Sequence, residues 1–404
     1  MRYLVLMFLC LITVIAYVQR TGINSVKERI CGDIGIDTQA FGTLGSAWLA
    51  GYAIMQVPAG WLADRFGGRI VLVVLALVWS SLTALLGWCT QFEVMLVLWF
   101  GMGLALAGIF PCAAKSIGAW MPDTEKAMAS GLIGSSTMLG LAAASFLTSR
   151  LVFHEGLTWQ TTYAFYGAAG GLWAIAYFST IPERHGSHHS PPPMSGDNWR
   201  RLFSSVPLWL ICGQQFFRAG AMIFFINWFP AFLKESRNFD EYEAGVNASL
   251  VGIAAMTGGI LGGFFSDWLL RQTGLRRLSR QGIAMVGMTL AGVLVGVSYF
   301  IGDNGIAVTI FALSAFIASL GGVSGYTVAI EFGGTRIGVV FSLMNSAGNL
   351  GGAIVNFVAG SLTQYTENWD AALFLIACVF GVDAVCWALL NPHGPLFGDD
   401  DESR

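Results

Sequence analysis

Two arginines stand inside stretches that are otherwise almost wholly apolar: Arg20, just past the run Tyr3 to Tyr17, and Arg218, about a dozen residues into Val206 to Leu233. A guanidinium offers a planar fork of donors that matches a carboxylate or phosphate two bonds at a time, so the chemistry these positions suggest is the capture of an anion. Neutral polar residues accompany them at helical spacing. Thr13, Tyr17, Arg20 and Asn24 fall at i, i+4, i+7 and i+11, one face of a helix. Gln214, Gln215 and Met222 share the side of Arg218; Trp48, Tyr52 and Gln56 recur at i, i+4 and i+8; Ser342, Asn345, Asn349 and Asn356 form a further face. Together they would make a shell for hydroxyls, as a sugar acid needs. Each neutral residue alone is equally suited to hydrogen bonding between helices. Arg20 has the alternative of snorkelling to outer headgroups, and Arg218 that of a salt bridge inside a bundle, although no acid at similar depth in the inner helices offers itself.

The elements that must hold these residues follow from composition. The chain is 55% hydrophobic and 11% charged, less than half the roughly 25% charge of a soluble domain, so most of its surface faces something other than water. A spanning helix needs roughly 20 mostly apolar residues. The apolar runs and their breaks predict twelve, at 3–30, 38–64, 70–90, 93–121, 125–153, 159–181, 206–233, 241–270, 279–301, 304–331, 335–365 and 369–390. The run Tyr3 to Tyr17 is too short to cross alone, so the first helix must continue through Arg20 to Asn24. No small-residue cleavage site follows it, which speaks for an uncleaved helix over a signal peptide.

The basic residues fix the orientation. With the N-terminus inside, the cytoplasmic connections hold Arg65, Arg69, Lys126, Arg184, Arg200, Arg201, Arg271, Arg276, Arg277, Arg280 and Arg336, while the outer ones hold Lys27, Arg29, Lys234 and Arg237, with Arg150 near the boundary. That bias is the positive-inside pattern, with both termini cytoplasmic. The expectation is an all-α membrane protein of twelve transmembrane helices in two pseudo-symmetric six-helix bundles: residues 1–181, a cytoplasmic linker over 182–204, residues 205–391, and a cytoplasmic tail over 392–404. The stretch from Pro182 to Asn198 is too rich in Pro, Ser and Gly to pack. Its His185, His188 and His189 read as solvated chance histidines over a metal site.

A charged turn, Gly60-Trp61-Leu62-Ala63-Asp64-Arg65-Phe66-Gly67-Gly68-Arg69, is clamped between the second and third apolar runs, and Gly263-Phe264-Phe265-Ser266-Asp267 echoes it in the second half. Gly60, Asp64, Arg65, Arg69 and Asp267 are the candidate gating residues. Asp64 at a helix end could pair with a neighbouring helix N-terminus and lock an inner gate in one state. Ser130-Gly131 to Gly140 has a similar counterpart in Ser342 to Gly351, and repeats of this kind imply two bundles rocking about a site near the midplane. Asp383 falls near mid-depth of the last helix, where structural pairing or proton carriage are the choices. Glu331 and Lys115 lie near cytoplasmic ends. The seven cysteines show no CxxC spacing, so no metal site is expected; Cys31 and Cys89 both fall near the outer face, where they could pair. A net charge of −3 excludes a phosphate-neutralising nucleic-acid binder. No nucleophile–base pair or nucleotide loop points to an enzyme, and no cofactor is expected.

The charged turn resembles the signature loop of the major facilitator superfamily, matching Gly-x-Leu-Ala-Asp-Arg-x-Gly-x-Arg and departing at Gly68. The segments Ala40 to Gly60, Trp228-Phe229-Pro230-Ala231-Phe232-Leu233-Lys234 and Asn345-Ser346-Ala347-Gly348-Asn349-Leu350-Gly351-Gly352 resemble its anion:cation symporter branch. The resemblance implies a transporter of small organic anions in a bacterial inner membrane, a monomer whose partners are its substrate and the bilayer, with Arg20 at the branch's substrate arginine. The chain departs where the branch carries a first-helix acid, here Gln19, and a fourth-helix arginine and coupling glutamate, here Trp99 and Leu106. Leu106 cannot titrate. An organophosphate:phosphate antiporter, whose branch pairs arginines on helices one and seven, is the alternative within the superfamily. A membrane sensor that binds the anion without moving it is the alternative of another class.

Overall fold

The computed structural model describes residues 1–182, 194–366, 369–391 and 394–398, with the side chains of 364–366 left aside. The histidines of the linker lie outside the described residues. Every regular element among those described is helical: α1 (Arg2–Thr21), α2 (Lys27–Ile34), α3 (Thr38–Phe66), α4 (Gly68–Leu86), α5 (Phe92–Leu106), α6 (Ile109–Trp120), α7 (Lys126–Ser149), α8 (Trp159–Thr180), α9 (Gly196–Phe203), α10 (Val206–Asn227), α11 (Phe229–Arg237), α12 (Glu241–Thr273), α13 (Ile283–Ser298), α14 (Asn304–Gly333), α15 (Ile337–Thr366) and α16 (Asp370–Leu389). Nine stretches among the described residues are long and apolar enough to cross a membrane. One of them, Asn304–Thr363, folds as two helices, α14 and α15. Large apolar side chains such as Phe146, Leu172, Phe357 and Phe374 are exposed around the outside, the surface a hydrocarbon solvent asks for.

Three helices are interrupted where the sequence pattern predicts continuity, and a fourth starts late. The first passes through a 3-10 stretch, Gly22–Val26, before α2. Here Gly22 admits the Thr148 and Tyr163 hydroxyls: a Cβ would lie 2.6 Å from Thr148 Oγ1. The fourth divides into α5 and α6 around Ala107 and Gly108, ahead of Pro111. The seventh divides at Trp228, with Pro230 in the first turn of α11, where a missing N–H costs nothing. The eleventh begins only after a 3-10 turn, Gly334–Arg336. Such places free backbone groups that need partners; the Gln56 and Lys115 side chains supply them at Ala107 and Thr335.

The predicted linker over 182–204 is not wholly irregular. Ser195 accepts a hydrogen bond from the Asn198 N–H and starts α9, whose Leu202 is buried. The charge-rich Asp197-Asn198-Trp199-Arg200-Arg201 belongs to an amphipathic turn of helix that the surrounding Pro and Ser obscure in sequence. The predicted tail is docked as well, over Gly394–Gly398. Leu396 N–H donates to the Phe332 carbonyl at 2.8 Å and Thr335 N–H to the Phe397 carbonyl at 3.1 Å, and Phe397 is buried. This clasp sits on the turn between α14 and α15, where Gly334 adopts φ +56°.

The two most extensive crossings between the first half of the chain and the second are α3 on α15 and α7 on α12, with α6 also meeting α14 and α15 and α7 meeting α14. At each of the first two, glycine lets backbones meet. A Cβ on Gly60 would lie 2.3 Å from the Gly338 carbonyl, and one on Gly263 would lie 2.5 Å from the Ala127 carbonyl.

Candidate functional site

Arg20 occupies the last turn of α1 and is half-buried. Its guanidinium carbon lies 3.7 Å from the Trp48 ring centroid and 5.6 Å from that of Tyr17, within the range in which a cation is held by a π face. Trp48 and Tyr52, one turn apart on α3, stack with centroids 4.9 Å apart. The Tyr52 hydroxyl accepts from Asn345 Nδ2 of α15 at 3.0 Å. A continuous chain of contacts thus runs from Arg20 to the other half of the molecule.

On that other side, Arg218 of α10 is half-buried, donates to Gln215 Oε1 at 2.8 Å and lies 5.6 Å from the Tyr326 ring of α14. Its buried Nε–H finds no acceptor. Neither Arg20 nor Arg218 forms an ion pair with a described residue. Two cations from opposite halves thus have donor capacity to spare, Arg20 at the start of the chain of contacts through Tyr52 to Asn345 and Arg218 beside Tyr326, and such a pair suits an anion. Tyr326 is the member that sequence reading missed. Its signal lies in neighbouring glycines: a Cβ on Gly322 would meet Arg218 Cδ at 2.7 Å and one on Gly325 would meet Gln214 Oε1 at 2.8 Å, so the Gly321-Gly322-x-x-Gly325 pattern marks the seats of two long polar side chains.

Several candidates are turned to other duties. Gln56 Nε2 donates to the Ala107 carbonyl at 3.3 Å, stitching the α5–α6 break. Asn356 Oδ1 accepts from Trp228 Nε1 at 2.9 Å and Asn227 Nδ2 at 3.0 Å, at the α10–α11 break. Gln214 donates to the Ile211 carbonyl of its own helix, and Thr13 to that of Leu9. Gln19 is fully buried on the side away from Arg20, donating to the Tyr166 carbonyl of α8 at 2.6 Å. Asn24 and Asn349 are exposed, and Tyr17 is half-buried beside Arg20. Leu106 and Trp99 are buried in the core. Cys31 and Cys89 are free thiols rather than a disulfide.

The candidate gate residues divide. Asp64, at the end of α3, accepts from the backbone N–H groups of Gly338 and Val339 at 2.8 and 2.9 Å, capping the first turn of α15, and pairs with Lys115 at 3.0 Å. Lys115 also donates to the Thr335 carbonyl at 2.7 Å. Asp267, at the corresponding place on α12, accepts from the N–H groups of Ala127 and Met128 at 3.3 and 2.7 Å, in the first turn of α7. A carboxylate at a helix N-terminus meets both free donors and the positive end of the dipole. Arg280 binds Asp267 at 2.7 Å, Glu331 at 3.3 Å, Ser266 at 2.8 Å and the Asp123 carbonyl at 2.7 Å. The two crossings are thus latched by equivalent carboxylate caps. Arg65 stays on its own half, over the Trp61 and Phe66 rings, and Arg69 donates to the Phe178 carbonyl of α8.

In the connection between α6 and α7, Asp123 pairs with Lys126 and Arg276. Partial burial works to raise its carboxyl, but Lys126, Arg276 and Arg280 outweigh that and hold it below the usual carboxylate range. Asp383 of α16 stands apart from all of these: it is 0% exposed, and neither carboxylate oxygen has a protein hydrogen-bond partner.

Comparison with known proteins adds family to geometry. The sequence profile described as Major Facilitator Superfamily matches residues 9–355. The chain is 29% identical to a probable sulfoacetate transporter of Cupriavidus necator, over 100% of this chain and 96% of that protein. It is 25% identical to a probable galactarate/D-glucarate transporter of Escherichia coli K12, over 96% and 94% respectively. Its fold matches the crystal structure of the E. coli fucose:proton symporter with a TM-score of 0.75 at 16% identity, covering 96% of this chain and 98% of that one.

Proposed function

We propose, from the premise that the chain belongs to the Major Facilitator Superfamily and is a multi-pass membrane transporter, that it moves a small organic anion by alternating access, the anion seated between Arg20 and Arg218. The observation that carries this reading is the pair of half-buried guanidiniums, contributed by opposite halves and free of ion pairs with described residues. The relatives are described as transporters of sulfoacetate and of galactarate/D-glucarate, anions that differ in headgroup but share a carboxylate. A carboxylate or sulfonate bound bidentately by one arginine, with the rest of the molecule reaching the other, fits that common chemistry. Tyr17, Tyr52, Gln215, Tyr326 and Asn345 would hold the hydroxyls or shape the walls.

Twelve spanning helices are the count we adopt. The double run Asn304–Thr363 supplies two, and α3 and α8, whose lengths also suffice, supply the remainder. Residues 1–181 and 205–391 are then the rocking bundles, in a bacterial inner membrane with both termini cytoplasmic. In that orientation the capped crossings at Asp64 and Asp267 close the cytoplasmic side, and the conformation faces outward.

The test is ligand-dependent thermal stabilisation of the purified protein with D-glucarate, sulfoacetate, inorganic phosphate and glycerol 3-phosphate. A ligand at 100 times its dissociation constant adds about 2.7 kcal/mol to the native state. Stabilisation by D-glucarate or sulfoacetate, lost in Arg20→Ala and Arg218→Ala, is the expected result. Stabilisation by phosphate and its ester alone would replace this reading with an organophosphate antiporter. Binding without uptake in proteoliposomes would make the chain a sensor.

A further inference from the structure

Asp383 is the one membrane-depth carboxylate whose environment the site has not used. It lies in the middle of α16, is fully buried, and neither oxygen meets a protein donor. The nearby Trp387 indole N–H, one turn on, stops short of hydrogen-bond geometry. Such a group is expensive to keep as an ion in an apolar interior, whereas the buried acids Asp64 and Asp267 have backbone caps and cations.

What surrounds it is specific. Of the elements packed on α16, α13 and α15 carry no Asp, Glu, Lys, Arg or His within their helices. The turn Arg277–Gly282 brings Arg280, which is committed to Asp267 and Glu331, and Arg277, which bonds Gln281. On its own helix the titratable neighbour is the Cys386 thiol. The remaining neighbour is α10, with the Cys212 thiol and Arg218. The register is set by Gly213, where a Cβ would lie 3.2 Å from Cys386 Sγ. The two helices run antiparallel, because α10 starts beside the docked tail that follows α16. Arg218 is five residues beyond Gly213 and Asp383 three residues before Cys386, so at about 1.5 Å per residue their levels differ by roughly 3 Å. Arg218 is thus the cation that α10 brings to the level of Asp383.

We propose that Asp383 is the proton-carrying group of the transport cycle, coupled to the anion through Arg218. This rests on the proposed role of Arg218 in anion binding. One cation cannot fully serve two negative groups on different sides of it. When Arg218 turns to the anion, Asp383 takes a proton from the outer water, and when the anion leaves to the cytoplasm, Arg218 swings back and the proton is released there. Anion and proton thus travel together, one of each, and each raises the affinity for the other by the same factor. This assigns the coupling acid to the last helix of the second bundle, in a chain where Gln19 and Leu106 replace titratable residues of the first.

Two measurements on the intact protein test it. In proteoliposomes, wild-type protein and Asp383→Glu accumulate labelled D-glucarate under an inward proton gradient. Asp383→Asn loses accumulation at least tenfold while still exchanging D-glucarate across the membrane without a gradient. Gradient-driven accumulation by Asp383→Asn, or loss of exchange together with accumulation, overturns the proposal. The second needs no substrate, so it stands even where D-glucarate is not carried and the anion reading fails. Infrared difference spectra of the ligand-free protein between acid and alkaline pH should contain a protonated-carboxyl band that Asp383→Asn removes; an unchanged spectrum overturns the assignment.

Discussion

At the scale of single residues, the contact that matters most is one that no local pattern supplies: Asn345 donating to Tyr52 across 293 positions of sequence. Helical spacing put each residue on a polar stripe, but a stripe does not say what it faces. Gln56 and Asn356 sat on the same stripes, yet Gln56 meets a backbone carbonyl at a broken helix and Asn356 meets the Asn227 and Trp228 side chains. The difference is decided by the groups that neighbouring helices present, which a one-helix reading cannot see. The arginines were legible because a charge in an apolar run has few reasons to be there; Tyr326 was not, since a lone tyrosine in an apolar helix looks like core. We expect Tyr52→Phe and Asn345→Ala each to destabilise the protein by about 1 kcal/mol, the net worth of one hydrogen bond. The double variant should lose little more than the costlier single change, because both remove the same bond. Melting temperatures of the four proteins check this, and strict additivity would show that the bridge contributes nothing.

At the scale of elements, the charged turn Gly60 to Arg69 was readable as a punctuation mark between two apolar helices. Its partner was only half readable: that Asp64 should seek a helix N-terminus follows from the dipole, while the identity of α15 depends on the packing of α3 across the halves. The breaks within three helices were invisible, because an apolar run continues through a 3-10 turn or a proline-started segment without a change in composition. Asp64→Asn keeps an acceptor but loses the charge shared by two N–H groups and Lys115. Hydrogen bonds to charged groups are worth about 1.5–3 kcal/mol, so the ratio of molecules with the α3–α15 crossing closed to those with it open should fall by roughly tenfold or more. Pulsed dipolar distances between spin labels on the α3–α4 and α14–α15 connections read that population directly, and Lys115→Met should move it the same way by less.

For the whole molecule, an all-helical membrane fold was legible in composition and in the charged turn, while the inequality of the two crossings was not. Acid probes it first. The carboxyl of Asp123 is held low in the folded protein, so its stabilising contribution is complete above the ordinary carboxylate pKa of about 4 and fades as pH drops through the folded value. Melting temperature should decline on that acid limb, and more shallowly in Asp123→Asn. Asp123 also contributes its carbonyl to Arg280, a side chain 0% exposed and held by four partners, two carboxylates among them. The matching cation at the other crossing, Lys115, is 21% exposed and has two partners. A body fastened strongly along one seam and weakly along the other does not part evenly. On the proposed transport cycle the α7–α12 seam would act as the hinge pin and the α3–α15 seam as the free edge of a door, so the path to the cytoplasm should first appear as a wedge beside Lys115, with the leaving anion meeting that lysine before it meets water.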